Sequence, residues 1–439
     1  MLLIKKYSKY LLPFISVIFL SGEAVVNANN FEFDRPTLIS QDIKNSETVT
    51  FADPILEKEI RRELDISEDE PITRELLSQI TELKIKSFSD VFKLDGIEYL
   101  TNLNKLDLSS NKISDLTPLS KLNNLKDLNL WTNKISDLTP LARLNNLEIL
   151  QLNDNKISDV IPLARLNNLE ILDLSKNQIG DINSLTQLNN LKKLWLLGNQ
   201  ITEVNSLAKM SNLTHLNLSN NQIDNFNSLA KLTNLEGLYL SKNKISDITF
   251  LRHLNNLSSL NLCQNKINNI TPLRQLNNLE ILELSNNQIN NITPLRQLSN
   301  LKTIELSNNQ INNIHPLRQL INLSWLELST NKINNITSLR QLSNLEKLEL
   351  SNNQINDITS LRQLSNLNRL NLSNNEIKNF TPLTQLTNLK ILFLSTNQMS
   401  EVNNYPGLEF QNSLKIWEQP NSSYVVCSIF YPFGRIHYS

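Results

Sequence analysis

Few side chains in this sequence could bind a metal or attack a carbonyl. His215, His253, His315 and His437 are its only histidines, and no two stand at the spacing a zinc ligand pair needs. Cys263 and Cys427 are too few and too far apart for a disulfide framework or a cysteine-rich zinc site. Carboxylates are plentiful, and pairs such as Glu305 and Glu327 could in principle do acid and base work. They come, however, with no adjacent nucleophile and no cleft to shift their pKa values. Seven glycines in 439 residues leave no phosphate loop and no dinucleotide fingerprint. The sequence reads as non-enzymatic, with no cofactor and no metal.

What must position these residues is a repeat with a period of 22. From Leu103 the frame Leu-x-x-Leu-x-Leu-x-x-Asn-x-Ile-x-x-Ile-x-x-Leu-x-x-Leu-x-Asn recurs without insertion to Asn388, thirteen full units in all. A fourteenth begins at Leu389 and fades after Val402, and a degenerate unit, one residue longer, precedes them from Ile80 to Leu100. In one unit Leu125, Leu128 and Leu130 bracket a short strand, while Ile135, Leu138, Leu141 and Leu144 return the chain, all seven pointing inward. One such rung cannot offset the entropy of ordering its own backbone, so stacking must supply the rest. Two asparagine columns, Asn111 to Asn397 and Asn124 to Asn388, are assigned to backbone satisfaction and given no functional role. Sequons such as Asn212-Leu-Thr and Asn269-Ile-Thr fall out of the same consensus and are poor evidence for glycosylation.

These residues match the leucine-rich repeat, and Asp-Leu-Thr-Pro-Leu at 115–119 and 137–141 resembles the repeats of bacterial internalins. The resemblance implies an α/β leucine-rich repeat solenoid with a curved parallel sheet on its concave face and short helical or 3-10 segments on the convex face. It also implies a helical N-terminal cap, in which Asp53 would cap a helix opening at Pro54 and Thr73 the next. The expected organisation is a signal peptide over 1–28, a linker and helical cap over 29–79, repeats over 80–408, and a C-terminal cap or tail over 409–439. Lys5, Lys6 and Lys9, an apolar run from Tyr10 to Leu20 and Val26-Asn27-Ala28 read in order as an export signal cut after Ala28. The competing reading is a buried N-terminal helix or an uncleaved anchor. The apolar run falls well short of the ~20 residues a membrane span needs.

Similar 22-residue repeats in regulators of protein phosphatase 1 imply an alternative, an intracellular regulatory subunit. Surface-attached internalins carry an immunoglobulin-like cap and then wall-binding elements. None is legible here, so a soluble secreted or periplasmic product is expected. With 42 Lys plus Arg against 43 Asp plus Glu, charge gives no nucleic-acid footprint.

Positions 3, 5, 7 and 8 of the frame should face solvent, and only there do the repeats vary freely. Trp131, Ile149, Ile171 and Trp195 are expected to form one apolar patch on four consecutive rungs, with His215 and Tyr239 beyond it and Trp325 further along. Exposed tryptophan is a usual anchor of protein interfaces, although cross-strand filler is the plainer alternative. Glu283, Glu305, Glu327 and Glu349 stack in one column, which a ligand with a basic surface would relieve. The alternative is a solvated face partly neutralised by Lys347 and Lys302. The expected partner is a protein, less so a glycan. On the convex side Arg274, Arg296, Arg318, Arg340 and Arg362 form a ridge that reads as a duplicated, solvated face, with weak anion binding as the minor reading.

Overall fold

The computed structural model describes residues 48–397 in full, together with the backbone of strands Lys415–Trp417, Ile429–Tyr431 and Gly434–Ile436. The expected signal segment, Cys427, His437 and most of the tail lie outside the described residues. Among those described, no helix is long and apolar enough to cross a membrane.

Each 22-residue unit contributes one three-residue strand at positions 3 to 5, and sixteen such strands form one parallel sheet in strict sequence order. Register follows the repeat length: Lys105 pairs with Asp127 and Asp127 with Ile149. The degenerate unit joins through Glu82–Lys84, its extra residue setting Glu82 opposite Lys105. At the other end the sheet runs further than the repeat pattern, because Lys415–Trp417 pairs in parallel with Ile391–Phe393. That strand lies inside the segment expected to be a C-terminal cap or tail, 24 residues on from Ile391 and so off the 22-residue period.

The alternating Leu at position 4 and the aliphatic residues at 1, 6, 11, 14, 17 and 20 form one continuous core, and the seven side chains of the unit from Leu125 to Leu144 are at most 1% exposed. A 3-10 turn such as Thr117–Lys121 or Thr293–Gln297 returns the chain on the far side. Position 13 opens that turn, for the Asp115 carboxylate accepts from Thr117 N at 2.8 Å and the Asn291 amide oxygen from Thr293 N at 2.9 Å. At the N-terminal end, helix α1 (Pro54–Leu64) is capped by Asp53, whose Oδ1 accepts from Ile55 N and Leu56 N. Helix α2 (Arg74–Leu77) is capped by Thr73. Asp53 Oδ2 also accepts from Phe92 N and Lys93 N, tying α1 to the degenerate unit.

Between strand and turn, position 8 takes a left-handed conformation in every regular unit, from Ser110 at φ 55° to Thr396 at φ 58°. Glycine fills it only at Gly198, φ 70°. A β-branched residue is costly in that region. Thr330→Gly, at φ 55°, is therefore expected to raise unfolding free energy by about 1 kcal/mol in urea titration.

Candidate functional site on the sheet face

Positions 3 and 5 share the sheet face, so each forms a column running across the rungs. In the position-3 column Ile149 pairs with Ile171 and Thr303 with Trp325. In the position-5 column Asp173 pairs with Trp195, and Glu283, Glu305, Glu327 and Glu349 follow one another.

Much of the position-5 column is covered, contrary to the solvent-facing expectation. Trp195 is 3% exposed, Tyr239 6% and Glu283 0%, and Glu305 and Glu349 are also buried. The cause is twofold. Strands ~4.8 Å apart leave each side chain flanked on both sides by its own column. Position-5 groups also fold along the strand to accept the otherwise unused N–H of position 7. Asp173 Oδ1 accepts from Ser175 N, Asn129 Oδ1 from Trp131 N and Glu327 Oε1 from Ser329 N. The recurrence of Asp and Asn at this position was the available signal for that local turn. Trp131 at position 7 does stand clear, 44% exposed, while Ile149, Ile171, His215, Trp325 and Glu327 are half-buried.

Of the residues expected to form one apolar patch, Trp195 is covered rather than exposed. Ile149 and Ile171 pair in register on neighbouring strands, while Trp131 lies two residues past the end of its own strand. Further along, Trp195 stacks on His215 with ring centroids 6.4 Å apart, and the Trp195 indole N–H is buried without a hydrogen-bond partner. Gly237 makes room for this stack: a Cβ there would lie 2.7 Å from His215 Cδ2 and 3.0 Å from the Tyr239 hydroxyl. Burial, then Lys193, holds the His215 pKa below its ordinary value, so its ring is neutral at pH 7. Gly237→Ala should therefore displace the ring stack, costing about 1–3 kcal/mol by overpacking, and the change in Trp195 fluorescence would report it.

The glutamate column corrects the expectation that an open sheet cannot shift a carboxyl pKa. Burial, reinforced by Glu349 and Glu305, pushes the Glu327 carboxyl up to about 8, and hydrogen bonds from Ser329 only partly oppose this. Asp173 is pushed up to about 6 by burial alone, against the same kind of hydrogen bonding from Ser175. Neutralisation also differs from the expected pattern. Lys302 Nζ pairs with Glu280 at 2.8 Å, and Lys347 Nζ lies over the Trp325 ring at 5.2 Å. Arg369 instead closes one end of the column, with Nε 2.5 Å from Glu349 Oε1, and also sits over Phe393. At the other end Asn261 Nδ2 donates to Glu283 Oε2 at 2.6 Å.

One set of potential metal donors converges among the described residues: the Cys263 thiol and the Glu283 and Glu305 carboxylates, all buried, lie within 4.8 Å of one another. A soft thiol with two hard carboxylates matches no single metal preference, and three donors fall short of a closed zinc set. Of the histidines, His215 lies on the sheet and His253 and His315 on the return turns.

The family description "Leucine Rich repeats (2 copies)" matches residues 101–143, 145–187, 189–231 and 233–275. Comparison with curated proteins gives no match. Among solved structures, the chain is similar to the internalin InlF from Listeria monocytogenes, at 33% identity over 81% of this chain and 96% of that one, with a TM-score of 0.66. It is also similar to a leucine-rich repeat protein of Leptospira interrogans, at 28% identity over 78% of this chain and 97% of that one, TM-score 0.70. The functional domain of InlJ from Listeria monocytogenes, 23% identical over 85% of this chain and 82% of that one, TM-score 0.71, shares the fold.

Proposed function

The chain belongs to the internalin-like leucine-rich repeat proteins, and on that premise we propose that it is an exported, non-enzymatic scaffold that holds a protein ligand against its sheet face. The observation that carries the reading is the contrast between a core that stays apolar at every rung and a sheet face whose position-3 residues change chemistry at almost every rung. From Ile281 this column runs through Thr303, Trp325 and Lys347 to Arg369. Packing alone demands no such variety. Trp131 offers an exposed aromatic contact, and Ile149, Ile171 and Trp325 offer apolar ones along the position-3 column; of the glutamate column only Glu327 reaches the surface, and the buried Glu283, Glu305 and Glu349 would act from beneath. Trp195, Tyr239 and His215 would act from beneath, as a rigid support. The relatives reported above do not favour the intracellular regulatory-subunit reading.

Two measurements test this. Cell fractionation with N-terminal sequencing should find a mature chain starting at Asn29 outside the cytoplasm; an intact Met1 in the cytosol would sink export. For the ligand surface, Trp131→Ala and Trp325→Ala should each weaken capture of envelope or foreign-cell proteins by about 2 kcal/mol, roughly 30-fold. If both variants retain the same partners with unchanged affinity, the sheet face is not the binding surface.

A further inference from the structure

The return side of the repeat carries a second surface that the sheet-face reading does not use. Position 18 is Ala, Ser or Thr in the first six regular units, from Ser120 to Ala230, and arginine in the next six, from Arg252 to Arg362. Position 13 changes nearly in step. It is aspartate at Asp115, Asp137, Asp159 and Asp181, and asparagine at Asn269, Asn291, Asn313 and Asn335.

Both residue types hold the turn equally well: Thr139 N donates to Asp137 Oδ1 at 2.8 Å, and Thr337 N to Asn335 Oδ1 at 2.9 Å. The exchange therefore keeps the cap and removes a charge. That charge would be felt by the arginine. Aspartate remains at Asp247 and Asp357; at Asp357 the hydrogen bonds of Thr359 lower its pKa and Arg362 adds to the lowering. Within the turn, Asp137 with Arg143 sums to zero, whereas Asn313 with Arg318 leaves one positive charge.

Packing does not require these arginines. Arg274, Arg296, Arg340 and Arg362 are exposed and Arg318 half-buried, while alanine serves at the same position elsewhere. Duplication alone does not account for them either, because over the same rungs position 3 has become Ile281, Thr303, Trp325 and Lys347. Between the turns bearing Arg318 and Arg340 lies a groove of about 1080 Å³ whose lining adds His315 and the amides of asparagines and glutamines, with no carboxylate.

We infer that this return face docks an anionic polysaccharide with a carboxylate on each sugar, laid across the rungs from Arg274 to Arg362. Guanidinium groups pair with carboxylates through two parallel hydrogen bonds. The amides, donors and acceptors at once, suit sugar hydroxyls. A bare polyanion such as polyphosphate would engage the arginines and leave the amides unused.

The test uses the full chain and oligomers of alginate or polygalacturonate, with neutral dextran and polyphosphate as comparators. Binding to the polyuronates is expected, with none to dextran and weaker binding to polyphosphate at equal charge. The combined variant N269D, N291D, N313D and N335D should bind at least tenfold more weakly while unfolding in urea like the parent, since aspartate already serves in that cap. R296Q, R318Q and R340Q together should weaken binding further. The inference fails if no polyuronate binds at low salt, if polyphosphate binds as well per charge, or if the four-aspartate variant binds unchanged.

Discussion

Asn177→Ala should destabilise the protein by about 3–5 kcal/mol, although it removes only one uncharged side chain. Its amide donates to Leu152 O at 3.0 Å, Leu174 O at 3.0 Å and Ser175 O at 3.2 Å, and its Oδ1 accepts from Ile157 N at 3.0 Å. The three carbonyls would each keep one other donor: Asn155 on Leu152 O, Asn199 on Leu174 O and Asp154 N on Ser175 O. The N–H of Ile157, a fully buried residue, loses its Asn177 acceptor, and an orphaned buried donor costs about 1–3 kcal/mol by itself. Losing three further bonds to carbonyls brings the total into the stated range.

The second asparagine column supplies the control. Asn146 makes one exposed bond, Nδ2 to Asn123 O at 2.8 Å, so Asn146→Ala should cost about 1 kcal/mol or less. Asn177→Asp keeps the acceptor for Ile157 but faces a carboxylate toward three carbonyls, and should be at least as harmful as alanine at pH 7. Because the amide of Asn177 bridges two rungs, the alanine variant should also loosen coupling there, and urea unfolding should broaden or divide. Equal costs for the two alanine variants would show that the buried ladder is not a main source of rung coupling.

The repeat length, the inward set, both asparagine columns and the Asp53 and Thr73 caps were legible because each follows from a fixed spacing or a fixed hydrogen-bond role. Position 5 was read less well. Alternation along a strand says which face Trp195 or Glu283 occupies, but exposure depends on what the neighbouring rungs place beside it. A solvent-facing position in an isolated strand becomes an interior one when identical strands flank it. The Gly237 notch under His215 and Tyr239 was invisible for the same reason, since its partners come from two rungs. The sequence offers Lys302 and Lys347 as partial neutralisers of the glutamate column. Only side-chain direction shows that Lys302 belongs with Glu280 and that Arg369 reaches Glu349.

Stability should fall as pH rises from about 4.5 to 8, a consequence of that column. The Glu327 carboxyl has a folded pKa of about 8 against an ordinary 4.5, so between those values the folded chain holds a proton that the unfolded chain releases. Its contribution is full below about 4.5 and is lost as pH passes through 8. Asp173, raised from 3.8 to about 6, adds a loss of the same sign at lower pH. The groups facing Glu327 support this direction. Glu305 and Glu349 flank it in register, Arg369 is engaged with Glu349, and Lys347 is drawn over Trp325. At the acid end the sign reverses. Asp115, Asp137 and Asp357 are held below the ordinary carboxylate range by hydrogen bonds from Thr117, Thr139 and Thr359, so their stabilisation fades below about pH 4. Urea midpoints should therefore peak at mildly acidic pH and decline toward pH 8. Glu327→Gln keeps an oxygen for Ser329 N, removes the titrating group and should flatten the decline, exceeding the parent by more than about 1 kcal/mol at pH 8. A parent profile flat from pH 5 to 8, or a glutamine variant with the parent's slope, would mean that the column shares its charge with solvent and is not proton-linked to folding.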